Sequence, residues 1–194
     1  MMIWEPEREA REFQPDFDAD ERAHASEPRR KMARDLALAL LKKHKITAPP
    51  VDVEALAKAC GLAVAYVNVA GKLSGQLYAG VPEMAVNTRE RSVQRQRFTI
   101  GHELGHWEFK HHLVGELPPD TLGYSGVFED DGAAEGRSPI EIEANTFSAE
   151  LLMPSPWLRK LPKSLKAGVP NQLADTYRVS REAMFYQLMH CGRL

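Results

Sequence analysis

The five residues His102-Glu103-Leu104-Gly105-His106 constrain this 194-residue chain more than any other stretch. Two histidines four apart face one another on a helix, where positions i and i+4 lie one turn apart on the same face. Their imidazoles then converge on one ion at about 2.0–2.1 Å each. Glu103, three residues before His106, lies beside that face and reaches water held by the ion rather than the ion itself. The cation lowers the pKa of that water toward about 7, and the carboxylate takes its proton as it attacks a carbonyl. His102 and His106 are therefore candidate metal ligands and Glu103 a candidate general base.

The competing reading is two surface histidines on an amphipathic helix. The surrounding pattern argues against it. A helix is predicted over residues 90–110, with Val93, Ile100, Leu104 and Trp107 as its buried stripe. Gly101 and Gly105 sit inside it, each costing about 1 kcal/mol relative to alanine. Glycines there predict close approach by another backbone.

Two histidines make an incomplete site, because catalytic zinc usually has three protein ligands and one open position. A second helix, opened by Ser138-Pro139 and ended by Pro154, offers Glu141 and Glu143. These point about 200° apart at 100° per residue. Glu141, Asn145 and Ser148 form a polar stripe beside the apolar stripe Ile140, Ala144, Phe147 and Leu151, which favours Glu141. Glu143 falls with Glu150 on the side read as solvated. Ser138 to Glu141 also matches a capping box, and if Glu141 only caps the helix, Glu143 becomes the ligand. The residues by themselves leave both open.

Elsewhere the chain reads as one domain over residues 28–194 behind a charged segment, residues 1–27. That segment carries nine acidic residues and few aliphatics, too little apolar surface to offset ordering entropy, so it is expected to be flexible or docked on the domain. Helices are predicted over residues 29–45, over 52–60 behind an Asp52 cap, and in short pieces from Ser155 to the end, the last capped by Ser180. Residues 62–69, 73–79 and 84–87 read as strands of a small antiparallel sheet. Residues 113–138, with two prolines and five glycines, read as a long loop.

Composition excludes several classes. The net charge is −2, which gives no basic excess for nucleic acid, although residues 29–45 hold seven basic residues against one acid. Two cysteines make no disulfide framework. The acidic N-terminus is not a signal peptide, and no run approaches the roughly 18 apolar residues of a membrane span. A cytoplasmic protein without membrane contact is expected.

Arg97 to His106, followed by Glu141-Ile142-Glu143-Ala144-Asn145 and on to Pro154, resembles the ImmA/IrrE family of metallo-endopeptidases. The resemblance runs from about residue 30 to residue 189. It implies an α+β, mostly helical zincin-like domain with the small sheet packed on the active-site helix. It implies ligands His102, His106 and Glu141, with Glu103 as base and Asn145 orienting a ligand. Zinc is the expected metal, with manganese or iron as alternatives. It further implies a protein substrate, a helix-turn-helix repressor encoded nearby, whose cleavage derepresses a stress response or mobile element. Gly101 stands where the family commonly has alanine.

Two other functions remain open on the residues. One is a non-peptidase metal hydrolase such as peptide deformylase, but Ala59-Cys60-Gly61-Leu62 does not match the cysteine motif such enzymes use. The other is a non-catalytic repressor- or DNA-binding module, suggested by the helix-turn-helix flavour of residues 173–188; the net acidity argues against groove binding. Tyr78, Tyr124, His111, His112 and His190 are conceivable oxyanion stabilisers.

Overall fold

The computed structural model describes residues 28–70, 73–78, 81–89, 92–111 and 139–194. The charged segment 1–27 and the whole of the loop over 113–138, with Ser138 and Tyr124, lie outside these residues, as does His112. Seven helices are present among the described residues: α1 (Arg30–Lys43), α2 (Val53–Ala59), α3 (Val93–Glu108), α4 (Pro139–Leu152), α5 (Ser155–Leu158), α6 (Val169–Tyr177) and α7 (Arg181–His190). Three strands, β1 (Ala63–Val67), β2 (Gly75–Leu77) and β3 (Glu83–Asn87), form one sheet. The fold is α+β and mostly helical, as the sequence predicts.

The helix starts follow from local chemistry. Asp52 accepts from the Ala55 amide, Ser92 from Arg95 and Ser180 from Ala183, so each satisfies an amide that the first turn leaves open. Helix α2 stops at Gly61, whose φ of 80° lets the Leu62 amide return to the Ala57 carbonyl at 3.0 Å. Helix α3 begins three residues later than predicted, because Ser92 is extended and caps it.

The sheet is mixed rather than antiparallel. Its order is β1-β3-β2, with β1 parallel to β3 (Ala63 opposite Glu83, Val67 opposite Asn87) and β2 antiparallel to it (Gly75 opposite Val86). Buried Asn87, at the end of β3, explains the crossing. Its amide donates to the Val69 and Leu73 carbonyls at 3.0 and 2.8 Å and accepts from the Val69 and Arg89 amides. The connection leaving β1 is thereby held at the end of β3, and β2 takes the outer edge.

Helix α3 is the centre of the domain. Its residues Phe98 to His106 are buried without a break, as expected of a helix covered on every side. The sheet packs on it through β2 and β3, α2 touches it, and α4 lies along it. Helix α1 in turn covers α4. The apolar core runs through these layers, with Leu40, Leu56, Leu62, Met84, Leu104, Phe109, Phe147, Leu151 and Met184 among its residues. Helices α6 and α7 pack on each other and bury Ala174, Tyr177, Ala183, Met184 and Leu188. No helix of the described residues is long and apolar enough to cross a membrane.

Candidate metal centre

The glycines of α3 set its distance from α4. A Cβ on Gly105 would stand 3.1 Å from the Ala144 α-carbon and 3.1 Å from Phe147 Cδ1, and one on Gly101 would stand 2.5 Å from Ser148 Oγ. The backbone approach predicted from these glycines is present at Gly105; at Gly101 the neighbour is a side chain. Ser148 uses the closeness to donate to the Phe98 carbonyl at 2.9 Å.

That approach brings together His102, His106 and Glu141. The two Nε2 atoms are 3.0 Å apart. Glu141 Oε2 lies 3.3 Å from His102 Nε2, and Oε1 lies 3.2 Å from His106 Nε2. Among the described residues this is the group of histidine, cysteine and acidic side chains whose ligand atoms lie close enough to share an ion. Its carboxylate faces the two rings; the capping partner Ser138 lies outside the described residues. Both histidines are buried.

The donor set fits a divalent cation. Among the described residues, Glu141 Oε1 is buried without a hydrogen-bond partner, which is costly unless something positive satisfies it. His102 Nδ1 lies 2.9 Å from Asn145 Oδ1. An amide oxygen only accepts, so Nδ1 carries the proton and Nε2 presents a lone pair toward Glu141. Burial holds the His106 imidazole neutral, down to about 4. Neutral imidazoles and an ionised carboxylate are the states a metal site requires.

Glu103 is buried on the sheet side of α3. A Cβ on Gly75 would overlap Thr99 Cγ2 and stand 3.3 Å from Glu103 Oε1. Edge strand β2 therefore passes directly over this carboxylate because position 75 has no side chain.

Glu143 and Glu150 are not solvated. Each is 1 % exposed, because α4 is enclosed by α1 on one side and by the C-terminal helices on another. Glu150 accepts from the Ser155 amide and hydroxyl at 2.8 and 2.7 Å and from Gln187 Nε2 at 3.3 Å. Glu143 accepts from the Arg29 amide, Nε and Nη2 at 2.8, 2.8 and 2.7 Å. Its remaining contact is His111 Nε2 at 3.0 Å, and His111 Nδ1 lies 2.8 Å from His106 Nδ1. Both nitrogens of His111 are thus engaged away from any substrate, which removes it as an oxyanion stabiliser. Tyr78 and His190 are exposed.

A central helix bearing paired histidines, a carboxylate from a second helix closing on them and a mixed sheet over the outer face define a metallopeptidase-like domain. The family described as the IrrE N-terminal-like domain, a peptidase family, matches residues 57–189, and the chain belongs to it. No curated protein matches the chain.

Proposed function

We propose that this protein is a zinc metallo-endopeptidase in which His102, His106 and Glu141 hold the ion and Glu103 is the general base. The observation that carries the reading is the meeting of two imidazole nitrogens and a carboxylate, 3.0–3.3 Å apart, beside a buried glutamate and beneath the edge strand β2. Bound zinc would supply Lewis acidity to the scissile carbonyl and to the attacking water. Glu103 accepts the proton from that water and passes it to the leaving amine. Asn145 orients His102 through its Nδ1 proton. Among the described residues β2 pairs only with β3, so its outer edge can take an extended peptide as an added strand and lay it across Glu103.

The substrate we propose is a helix-turn-helix repressor encoded near this protein and cleaved in the cytoplasm, with derepression of a stress response or mobile element as the result. Family membership supports this, together with an edge strand suited to a flexible segment of a folded protein.

The test is incubation of the zinc-loaded chain with the repressor encoded next door, with and without chelator. Chelator abolishes cleavage. Glu103→Gln retains zinc and fold but lowers turnover by about 10²–10⁴-fold; undiminished cleavage by this variant overturns the mechanism.

A further inference from the structure

The side chains behind His106 form a chain of hydrogen bonds that begins outside the family-matched residues. Glu143 is its fixed end. An ionised carboxylate only accepts, and all four contacts of this one come from donors: three from Arg29 and one from His111 Nε2. His111 Nε2 must therefore carry a proton. The ring is fully buried, and a neutral imidazole carries a single N–H, so with Nε2 protonated its Nδ1 is bare. Only His106 can supply the proton between the two Nδ1 atoms, 2.8 Å apart. His106 is then an Nδ1–H tautomer, and its Nε2 lone pair points at His102 Nε2 and Glu141.

Packing holds each member in place. The Phe109 ring stacks on His111 at 5.1 Å between centroids and 25° between planes, and carries the Arg29 guanidinium at 5.2 Å from its own centroid. Lys110, at φ 60°, turns the chain back after α3 so that His111 returns beneath His106. Asn145 does the corresponding work for His102 with a single amide oxygen.

We propose that His111, Glu143 and Arg29 are positioning residues that fix the tautomer and aim of His106 and thereby set the affinity of the metal site. This rests on the site proposed above and adds a control that begins at Arg29, upstream of residues 57–189. Without the relay, either ring nitrogen of His106 could hold the proton, and an Nε2–H form cannot ligate. Second-layer partners of this kind typically change metal affinity by about 10–100-fold.

Two measurements on the full chain test it. In the metal-free protein labelled with ¹⁵N-histidine, long-range ¹H–¹⁵N correlation should report His106 as Nδ1–H and His111 as Nε2–H. The opposite tautomer at either residue overturns the proposal. Zinc affinity is then measured by competition with a chromophoric chelator. His111→Phe, which keeps the stack on Phe109 but cannot accept, should weaken zinc binding by about 10–100-fold. His111→Gln, whose amide can accept from His106 and donate to Glu143, should stay within about threefold of the native chain. Native affinity in the Phe variant, or a Gln variant no better than Phe, overturns the relay. His102→Ala separates the two readings. If zinc binding does not depend on His102, the metal-site assignment fails, and the tautomers still decide the relay.

Discussion

Gly105 and Ala144 are in backbone contact, and this pair sets the spacing between the two helices that carry the proposed metal ligands. A Cβ at position 105 would meet the Ala144 α-carbon at 3.1 Å, its carbonyl oxygen at 3.3 Å and Phe147 Cδ1 at 3.1 Å. Two of these three atoms are backbone, which cannot rotate away. Gly105→Ala gains about 1 kcal/mol of helix propensity, but forcing the helices apart costs about 1–3 kcal/mol. We expect a net loss of stability of up to about 2 kcal/mol in chelated protein. A fall in zinc affinity should accompany it, because His106 follows Gly105 on α3 and Glu141 lies one turn before Ala144. Calorimetry with and without zinc checks both parts; unchanged affinity would mean the spacing is not set here.

Asn145 gives a sharper probe of His102. Its side-chain oxygen takes the Nδ1 proton at 2.9 Å. Asn145→Ala leaves that proton without its acceptor and frees the ring, so zinc affinity should fall by about 10–100-fold. Asn145→Asp keeps an acceptor in place and should retain most of the affinity. An aspartate variant as weak as the alanine one would show that the amide nitrogen, not the oxygen, matters.

The legible part of this site lies within single helices. His102, Glu103 and His106 share one turn and a neighbour, so spacing alone places them. Glu141 was narrowed to two candidates by helical period and chosen by family resemblance, because the period gives direction around a helix but not what covers each side. The same limit hid Glu143 and Glu150. Their face reads as solvated until α1 and Gln187 close over it, and Arg29 is 114 residues from Glu143 in the chain. His111 was hidden by a single backbone turn, the positive φ of Lys110, which has no marker residue such as glycine. In the sheet, the apolar and β-branched runs located the strands but not their partners. The order depends on Asn87 tying down the connection after β1, a tertiary contact with no local pattern.

Acid should destabilise the metal-free protein in two separate steps. Burial, above all, lowers the His106 pKa to about 4, while an unfolded histidine titrates near about 6.5. Between these values the unfolded chain binds more protons than the folded one. Stability from this residue is therefore complete above about 6.5 and declines as pH falls toward 4, by about 3 kcal/mol in all. Glu143, held at about 2, adds nothing to that window; its share declines only below the unfolded carboxylate value of about 4.3. Urea titrations of chelated protein at pH 7, 5.5 and 4.5 measure the first step. His106→Gln should flatten it, and an equal slope in that variant would assign the proton to another group.

Glu150 separates fold from site. Its carboxylate holds the Ser155 amide and hydroxyl at the start of α5 and draws in Gln187 from α7, itself bonded to the Met153 carbonyl at 2.9 Å. Removing it leaves the buried Ser155 amide and hydroxyl without an acceptor and Gln187 with the Met153 carbonyl alone, and each unsatisfied group costs about 1–3 kcal/mol before relaxation. Glu150→Ala should therefore cost about 2–4 kcal/mol in unfolding free energy. Zinc affinity at temperatures where the variant is folded should match the native chain, since Glu150 touches neither the ligands nor the groups behind them. The contrast with Glu143, seven residues earlier on the same helix, is the informative part. Both are buried carboxylates, yet only Glu143 should move metal affinity. A zinc deficit in Glu150→Ala comparable to that of Glu143→Ala would mean that α4 responds as one rigid unit and that the relay has no special hold on His106.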